Sequence, residues 1–160
     1  LTEQRQAILV DFGLAVLRGG PRYTAPGKVW GSPSYIAPDQ LGEPPHVDAR
    51  SDVYSLGIVV YEMTTGRPPF QSESIMEVLW KHASAAPRPP RELAPDLPQE
   101  LEALILKSMA KRPEERYATA MEMANDLRAL PSKMARRPLD LTETSRISYQ
   151  SPIVLFANFW

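Results

Sequence analysis

Three consecutive residues near the start of the chain, Asp11, Phe12 and Gly13, have the types and the spacing to carry chemistry. They follow the apolar run 7–10, which has the length and composition of a short strand. A carboxylate at the end of a strand is held rigidly and offers the oxygen ligands that hard cations prefer. The triplet alone does not establish such a site, because a strand that ends in an Asp-x-Gly turn is common.

A long segment without periodicity follows, residues 14–34, and it is rich in Gly, Pro, Arg and Thr. Loops of this length are uncommon inside a compact domain and are usually functional. The loop leads into the sequence GSPSYIAPD at residues 31–39, and a second loop, residues 40–50, connects this sequence to the most apolar part of the chain. The long loop that follows Asp11 is therefore a candidate for function.

The elements that position these loops are helices, and the most apolar of them is predicted over Ser51–Gly66. The β-branched run at 58–60 would also suit a strand, but length and flanking residues favour a helix. Ser51 is predicted as the N-cap, Asp52 places a carboxylate at the positive end of the helix dipole, and Gly66 is a stop signal. We expect a central helix that is apolar on nearly every side and around which other helices pack.

Three further helices are predicted downstream. Two of them open with a capping box, Ser74 with Glu77 and Thr119 with Glu122. The methionines are expected in the core. The helix between these two is indicated by apolar residues at helical spacing: Leu101, Leu104, Ile105 and Met109.

The bulk composition argues against several classes of protein. Among 160 residues, 18 are basic and 19 are acidic, so the net charge of -1 gives no field that attracts nucleic acid or an anionic membrane. Without cysteine there is no disulfide framework and no thiolate metal site, which suits a reducing compartment. His46 and His82 lack metal-ligand spacing and are interpreted as surface or packing residues.

Taken together, these motifs resemble the eukaryotic-type serine/threonine protein kinases, with the bacterial (Hanks-type) members closest in style. The resemblance rests on the order of DFG, GSPSYIAPD and DARSDVYSLGIVVYEMTTGRPPF and covers about residues 5–130. It implies a mainly α fold, the incomplete large (C-terminal) lobe of a protein kinase, with a short β segment before DFG. Residues 1–130 would form the kinase domain, with the activation segment at 11–39 and helices F to I at 51–130.

The resemblance also implies an ATP site at the start of the activation segment. Asp11 would bind the Mg²⁺ that bridges the phosphates of ATP. Phe12 would pack beneath Asp11, and its packing would determine whether the kinase is in the active or the inactive state. Gly13 would permit the segment to flip between them. ATP and Mg²⁺ are thus the expected cofactors.

Substrate class and regulation follow from the rest of the activation segment. Ser32 would contact the catalytic aspartate and shape the substrate pocket, and the form of residues 31–38 is that of kinases acting on serine and threonine rather than tyrosine. Thr24 would be a phosphorylation site, since added charge can order a loop by pairing with arginine. An ordinary loop threonine is nearly as well supported at this position.

Three residues would have structural roles in the family. Asp52 resembles the aspartate of the F helix that braces the catalytic loop. Arg116 matches the arginine that pairs with the acid of the A-P-E motif, and here that acid is Asp39, one methylene shorter than the usual glutamate. The shorter side chain puts the geometry of the pair in doubt.

Several kinase motifs do not occur in these residues. There is no G-x-G-x-x-G, no V-A-I-K lysine and no H-R-D loop, and these parts are expected upstream of Leu1. The chain by itself is therefore expected to be poorly soluble or oligomeric and to be inactive. A pseudokinase or scaffold lobe used only for protein contacts is the alternative. The intact DFG favours the enzyme, and Asp39 is a mild hint of the scaffold.

The segment 131–160 has the composition of a disordered linker that ends in an apolar stretch, 153–160. That stretch is too short for a membrane span, which needs about 20 apolar residues. It could begin a membrane helix in a longer protein, dock on the core, or be an accident of truncation, and the sequence does not choose among these. The kinase domain itself is expected in the cytoplasm, with protein substrates and ATP as its partners and no nucleic acid.

Overall fold

A computed structural model describes residues 33–42 and 44–130, and the structural statements below concern these residues. Four sets of predictions lie outside them: the strand before DFG, the Asp11-Phe12-Gly13 triplet, the sites at Thr24 and Ser32, and the segment 131–160.

The described part of the chain is helical and contains no strand. Its α-helices are α1 (Ala49–Thr65), α2 (Ile75–Ser84), α3 (Gln99–Ser108) and α4 (Ala120–Ala129). Single 3-10 turns, each beginning at a proline, connect or precede them at Pro33–Tyr35, Pro38–Leu41, Pro90–Glu92 and Pro113–Glu115. Proline suits the first position of such a turn because its missing N–H would have no partner there. The prediction of a mainly α fold is confirmed.

Helix α1 is the centre of this arrangement, since α3 and α4 both pack against it and against each other. The two turns that begin at Pro33 and Pro38 lie between α1 and α2. The core that α1 shares with its neighbours consists mainly of these side chains: Val53, Tyr54, Ile58, Tyr61, Phe70, Leu101, Leu104, Ile105, Met109, Tyr117 and Met123.

The start of α1 differs from the prediction. Its N-cap is Asp48 rather than Ser51, and the Asp48 carboxylate accepts a hydrogen bond of 2.8 Å from the backbone N–H of Arg50. Ser51 lies at the third helical position, where its hydroxyl oxygen accepts from the backbone N–H of Asp48 at 3.4 Å. Both residue types are good N-caps. With Asp48 as the N-cap, Ser51 is buried and its hydroxyl is free to bond to Asp39.

The end of α1 agrees with the prediction. Gly66 is the C-cap in the left-handed conformation, with φ of 78°, and its N–H donates to the carbonyl of Glu62 at 2.8 Å. A second glycine, Gly57, allows α1 and α3 to approach closely. A Cβ at this position would lie 2.8 Å from Cβ of Ser108 and 3.0 Å from Cγ of Met109.

The predicted caps of α2 and α4 are present, with Ser74 and Thr119 as N-caps. The methionine prediction is only partly right. Met109 and Met123 are buried, whereas Met63, Met76 and Met121 are exposed, Met63 by 69%. Helix α1 is therefore not buried on every side, because the side chain of Met63 is exposed whereas that of Tyr61 lies in the core.

Candidate functional site

The segment 33–41 is the part of the predicted activation segment that the structure describes, and a buried ion pair holds its end. Asp39 lies in the turn Pro38–Leu41, and Arg116 directly follows the turn Pro113–Glu115. The Nη2 atom of Arg116 donates to Oδ1 of Asp39 at 2.6 Å, and the two side chains are 0% and 6% exposed. The shorter acid thus reaches the arginine, so the missing methylene does not prevent the contact.

The guanidinium group of Arg116 makes its remaining hydrogen bonds to backbone carbonyls. Its Nε donates to Ala110 at 2.8 Å, Nη1 donates to Arg50 at 3.0 Å, and Nη2 also donates to Lys111 at 2.9 Å. The group further lies 4.9 Å from the centre of the Tyr54 ring. A buried charge is tolerated when it is paired and its other donors are satisfied, and this guanidinium meets both conditions.

The second oxygen of Asp39 is also engaged. The hydroxyl of Ser51 donates to Oδ2 of Asp39, so the carboxylate has one donor on each oxygen. Ser51 is the residue that the sequence indicated as the N-cap of the central helix. Its actual position joins the start of α1 to the turn that carries Asp39.

Tyr35 anchors the middle of the segment to α1. Its hydroxyl donates to Oε2 of Glu62 at 2.7 Å, and its backbone carbonyl accepts from the hydroxyl of Ser55 at 2.8 Å. Two residues further on, Ala37 is fully buried, and its backbone N–H donates to the side-chain oxygen of Gln40 at 2.9 Å. The segment is therefore fixed by side chains from α1 and by its own turn.

Helix α2 covers the other side of the segment through a buried histidine. His82 is 0% exposed, and its Nδ1 lies 2.9 Å from the hydroxyl of Tyr54. Burial lowers the pKa of His82 to about 4, helped by the nearby charge of Lys111 and opposed by the backbone of Ser34. Burial likewise raises the pKa of the Tyr54 hydroxyl. Both groups are neutral at neutral pH, and the interpretation of His82 as a packing residue is correct.

Lys111 joins α2 to the connection between α3 and α4. Its ammonium donates to the carbonyls of His82 at 2.8 Å and Lys81 at 3.1 Å, and it lies 4.4 Å from the centre of the Phe70 ring. Burial lowers the pKa of Lys111 to about 8, and the charge of Arg116 acts in the same direction. Cations near the C-terminal carbonyls of a helix stabilise that end.

The structure brings some of the predicted site residues together and leaves others apart. Asp39 and Arg116 form the ion pair described above, and Asp52 lies in the first turn of α1, partly buried. The positions of Ser51 and Lys111 could not be inferred from spacing, because their partners are distant in sequence. His82 did carry a signal, since it shares the apolar face of α2 with Val78 and Leu79.

Two possible site types have no counterpart in the part of the chain that the structure describes. Residues 33–42 and 44–130 contain no group of three or more His, Cys, Asp or Glu side chains that could hold a metal ion. Within the same ranges, none of the helices has the length and apolar character needed to cross a membrane.

Comparison with known proteins gives a family match along most of the chain. The family model described as the protein kinase domain matches residues 1–127. Serine/threonine-protein kinase PknB of Mycobacterium tuberculosis is 42% identical over 147 residues, which cover 89% of this chain and 23% of PknB. A probable serine/threonine-protein kinase of Corynebacterium efficiens is 41% identical over 135 residues, covering 81% of this chain and 20% of that protein.

One relative has a name that indicates a different acceptor. Tyrosine-protein kinase MasK of Myxococcus xanthus is 42% identical over 133 residues, which cover 83% of this chain and 20% of MasK. The chain spans 20% to 23% of the length of these curated relatives.

Proposed function

The chain belongs to the protein kinase family, and from this membership we propose that the whole protein transfers the γ-phosphate of ATP to serine or threonine hydroxyl groups of other proteins. The observation that carries the proposal is the anchoring of segment 33–41, with Tyr35 bonded to Glu62 and Asp39 bonded to Arg116. Phosphoryl transfer requires the protein mainly to hold the reactants in line and to neutralise charge. A rigid segment beside the reaction is suited to receive a peptide substrate.

The nucleotide would be held by residues at the start of the activation segment. Asp11 would bind Mg²⁺ through its carboxylate, which is the hard oxygen donor that this ion prefers. Phe12 would pack beneath Asp11, and Gly13 would give the backbone freedom to move between states. When bound, Mg²⁺ would neutralise the charge of the ATP phosphates during transfer. ATP is available in the cytoplasm, and we propose that compartment for the kinase domain.

Serine and threonine are the proposed acceptors because of the sequence around Ser32. The residues GSPSYIAP at 31–38 have the form found in kinases that act on hydroxyls of serine and threonine. Because MasK is named a tyrosine-protein kinase, tyrosine is the alternative acceptor that the test must include. Ser32 is proposed to shape the pocket for the acceptor residue, and Thr24 is proposed as the regulatory phosphorylation site of the same segment.

The test is a transfer assay with the whole protein, Mg²⁺ and radiolabelled ATP. Three peptides that differ only in a serine, threonine or tyrosine acceptor serve as substrates. We expect label on the serine and threonine peptides and none on the tyrosine peptide. Asp11→Asn should abolish transfer without changing the circular dichroism spectrum. Glu73→Gln, at an exposed position, should leave the rate of transfer unchanged.

Each failure has its own meaning. Absence of transfer by the unaltered protein would favour a scaffold lobe that only binds other proteins. Label on the tyrosine peptide alone would overturn the substrate class. Full activity of Asp11→Asn would mean that another residue binds the metal.

A further inference from the structure

His82 occupies a fixed position beneath the segment 33–41. It belongs to α2, is 0% exposed, and lies on the apolar face of that helix with Val78 and Leu79. Its ring meets Phe70 edge-on at a centroid distance of 4.9 Å and Tyr54 at 5.7 Å. These contacts hold the imidazole on two sides, so its nitrogen atoms point in directions that the core determines.

The two nitrogen atoms have different surroundings. Nδ1 lies 2.9 Å from the hydroxyl of Tyr54, which is a normal hydrogen-bond distance. Nε2 is buried and has no hydrogen bond of normal geometry to the residues that the structure describes. Buried polar atoms are nearly always paired, and an unpaired one calls for an explanation.

The turn Pro33–Tyr35 packs against α2, and the backbone of Ser34 within that turn supplies the explanation. It interacts with the imidazole in the direction that favours protonation, and only a carbonyl, as an acceptor, has this effect on histidine. Since Tyr54 occupies Nδ1, the carbonyl must act at Nε2. This contact is weaker than a regular hydrogen bond, since Nε2 makes none to the described residues. With its proton on Nε2, the imidazole would donate towards this carbonyl, and Nδ1 would accept from the Tyr54 hydroxyl.

Burial is the main reason why the pKa of this imidazole is low and the ring is neutral, and the nearby charge of Lys111 acts in the same direction. The Lys111 ammonium binds the backbone carbonyl of His82 itself, and the Arg116 guanidinium lies 4.9 Å from the Tyr54 ring. The carboxylate of Asp39 also influences Tyr54, but it is paired with Arg116. A neutral imidazole can offer one donor and one acceptor at once, which is what Ser34 and Tyr54 require.

We propose that His82 is a positioning residue for the substrate: its Nε2–H holds the carbonyl of Ser34 and thereby sets the place of the turn Pro33–Tyr35. This inference rests on the proposed kinase function. Tyr35 and Asp39 are held by regular hydrogen bonds, whereas the contact to Ser34 is looser and can adjust. Within this turn Ser34 is therefore held less firmly than Tyr35, and His82 is the side chain that sets its position.

The test compares two amide substitutions in the whole protein. In His82→Asn the amide replaces Nδ1 and can still pair with Tyr54, but no atom remains at the Nε2 position. In His82→Gln the longer side chain returns a donor N–H to that position. We expect His82→Asn to raise the KM for the peptide about two- to fivefold, the lower part of the range for losing one hydrogen bond, with kcat and the KM for ATP unchanged. His82→Gln should restore most of the peptide KM.

A purely structural role would give a different pattern. If both variants changed kcat and both KM values together, or if His82→Gln failed to restore the peptide KM while folding normally, the proposal would be overturned. An unaltered protein that transfers no phosphate would instead count against the proposed function.

A second measurement does not depend on activity. In the whole protein with ¹⁵N-labelled histidine, NMR should detect the proton of His82 on Nε2, with the signals assigned by their loss in His82→Asn. A proton on Nδ1 would overturn the proposal whatever the enzyme assays give.

Discussion

Asp39 and Arg116 are 77 residues apart in sequence, and their side chains meet at 2.6 Å in the interior of the protein. Because each also bonds to a different backbone or side-chain partner, the pair fixes the turn Pro38–Leu41 to the start of α1 and to the connection before α4. Removing either partner leaves the other charge buried without compensation.

Arg116→Ala is the direct test of this pair. The substitution leaves the carboxylate of Asp39 unpaired, and the free energy of unfolding should fall by about 3–5 kcal/mol. Urea denaturation of the whole protein, followed by circular dichroism, measures the loss. Asp39→Glu keeps the charge and restores the usual length of the acid, and we expect it to be neutral or stabilising. Arg112→Ala removes a neighbouring arginine whose side chain is 69% exposed, and its denaturation midpoint should not change. An unaltered midpoint for Arg116→Ala would remove the pair from the account.

Gly57→Ala tests the close approach of α1 and α3. A new Cβ would lie 2.8 Å from Cβ of Ser108. Both Cβ atoms are attached directly to a helix backbone and cannot rotate away, so the helices must move apart. Overpacking should cost about 1–3 kcal/mol of unfolding free energy, even though alanine is the better helix former.

Gly42→Ala is the matched control for that substitution. A Cβ at position 42 would meet its nearest atoms at 3.6 Å and 3.7 Å, which is ordinary contact. Its unfolding free energy should be unchanged or slightly raised. A stabilised Gly57→Ala variant would show that the two helices are less tightly packed than the structure indicates.

The pH dependence of stability should carry a contribution from His82. Its pKa is about 4 in the folded chain against an ordinary value of 6.5, mainly because of burial. The unfolded chain therefore binds this proton more readily, so the free energy of unfolding decreases as the pH falls from about 6.5 to about 4, by about 3 kcal/mol in total. Urea denaturation on either side of this window, with His82→Gln as the reference, isolates the contribution. Equal pH dependence in the two proteins would contradict it.

Thr24 is predicted to carry phosphate when the whole protein is active. Phosphate adds up to about two negative charges and can order a loop by pairing with arginine, so Thr24→Ala should lower activity while stability changes little. Mass spectrometry of the active protein locates the modification. Phosphate found elsewhere in residues 14–30, with Thr24 unmodified, would move the site.

Local signals in the sequence were sufficient for the helices and for most of their ends. The spacing of Leu101, Leu104 and Ile105 predicts α3, and Gly66 ends α1 because only glycine adopts a φ of 78° without strain. The start of α1 was predicted wrongly because Asp48 and Ser51 are both good caps. The choice depends on Asp39, twelve residues before Ser51, whose carboxylate receives the Ser51 hydroxyl.

Burial was harder to predict than secondary structure. Helical spacing says which residues share a face, but it does not say which face another helix covers. Helical spacing thus predicts a core position for Met63, whereas its side chain is 69% exposed in the structure. The contacts of the candidate site were equally hard to predict, since the hydrogen bonds from Tyr35 to Glu62 and from Lys111 to His82 join residues that are far apart in sequence.

The Lys111 ammonium has a further consequence for how the lobe tolerates insertions and deletions. Helix α2 ends without a glycine, and its carbonyls at Lys81 and His82 receive a donor from a residue that follows α3. Adding or deleting a residue in the stretch between Met109 and Lys111 would move the Lys111 ammonium away, so the last carbonyls of α2 would lose these hydrogen bonds. The length of this connection is thereby tied to the orientation of a helix to which it is not adjacent in sequence, and such a connection should accept changes of residue far more readily than changes of length.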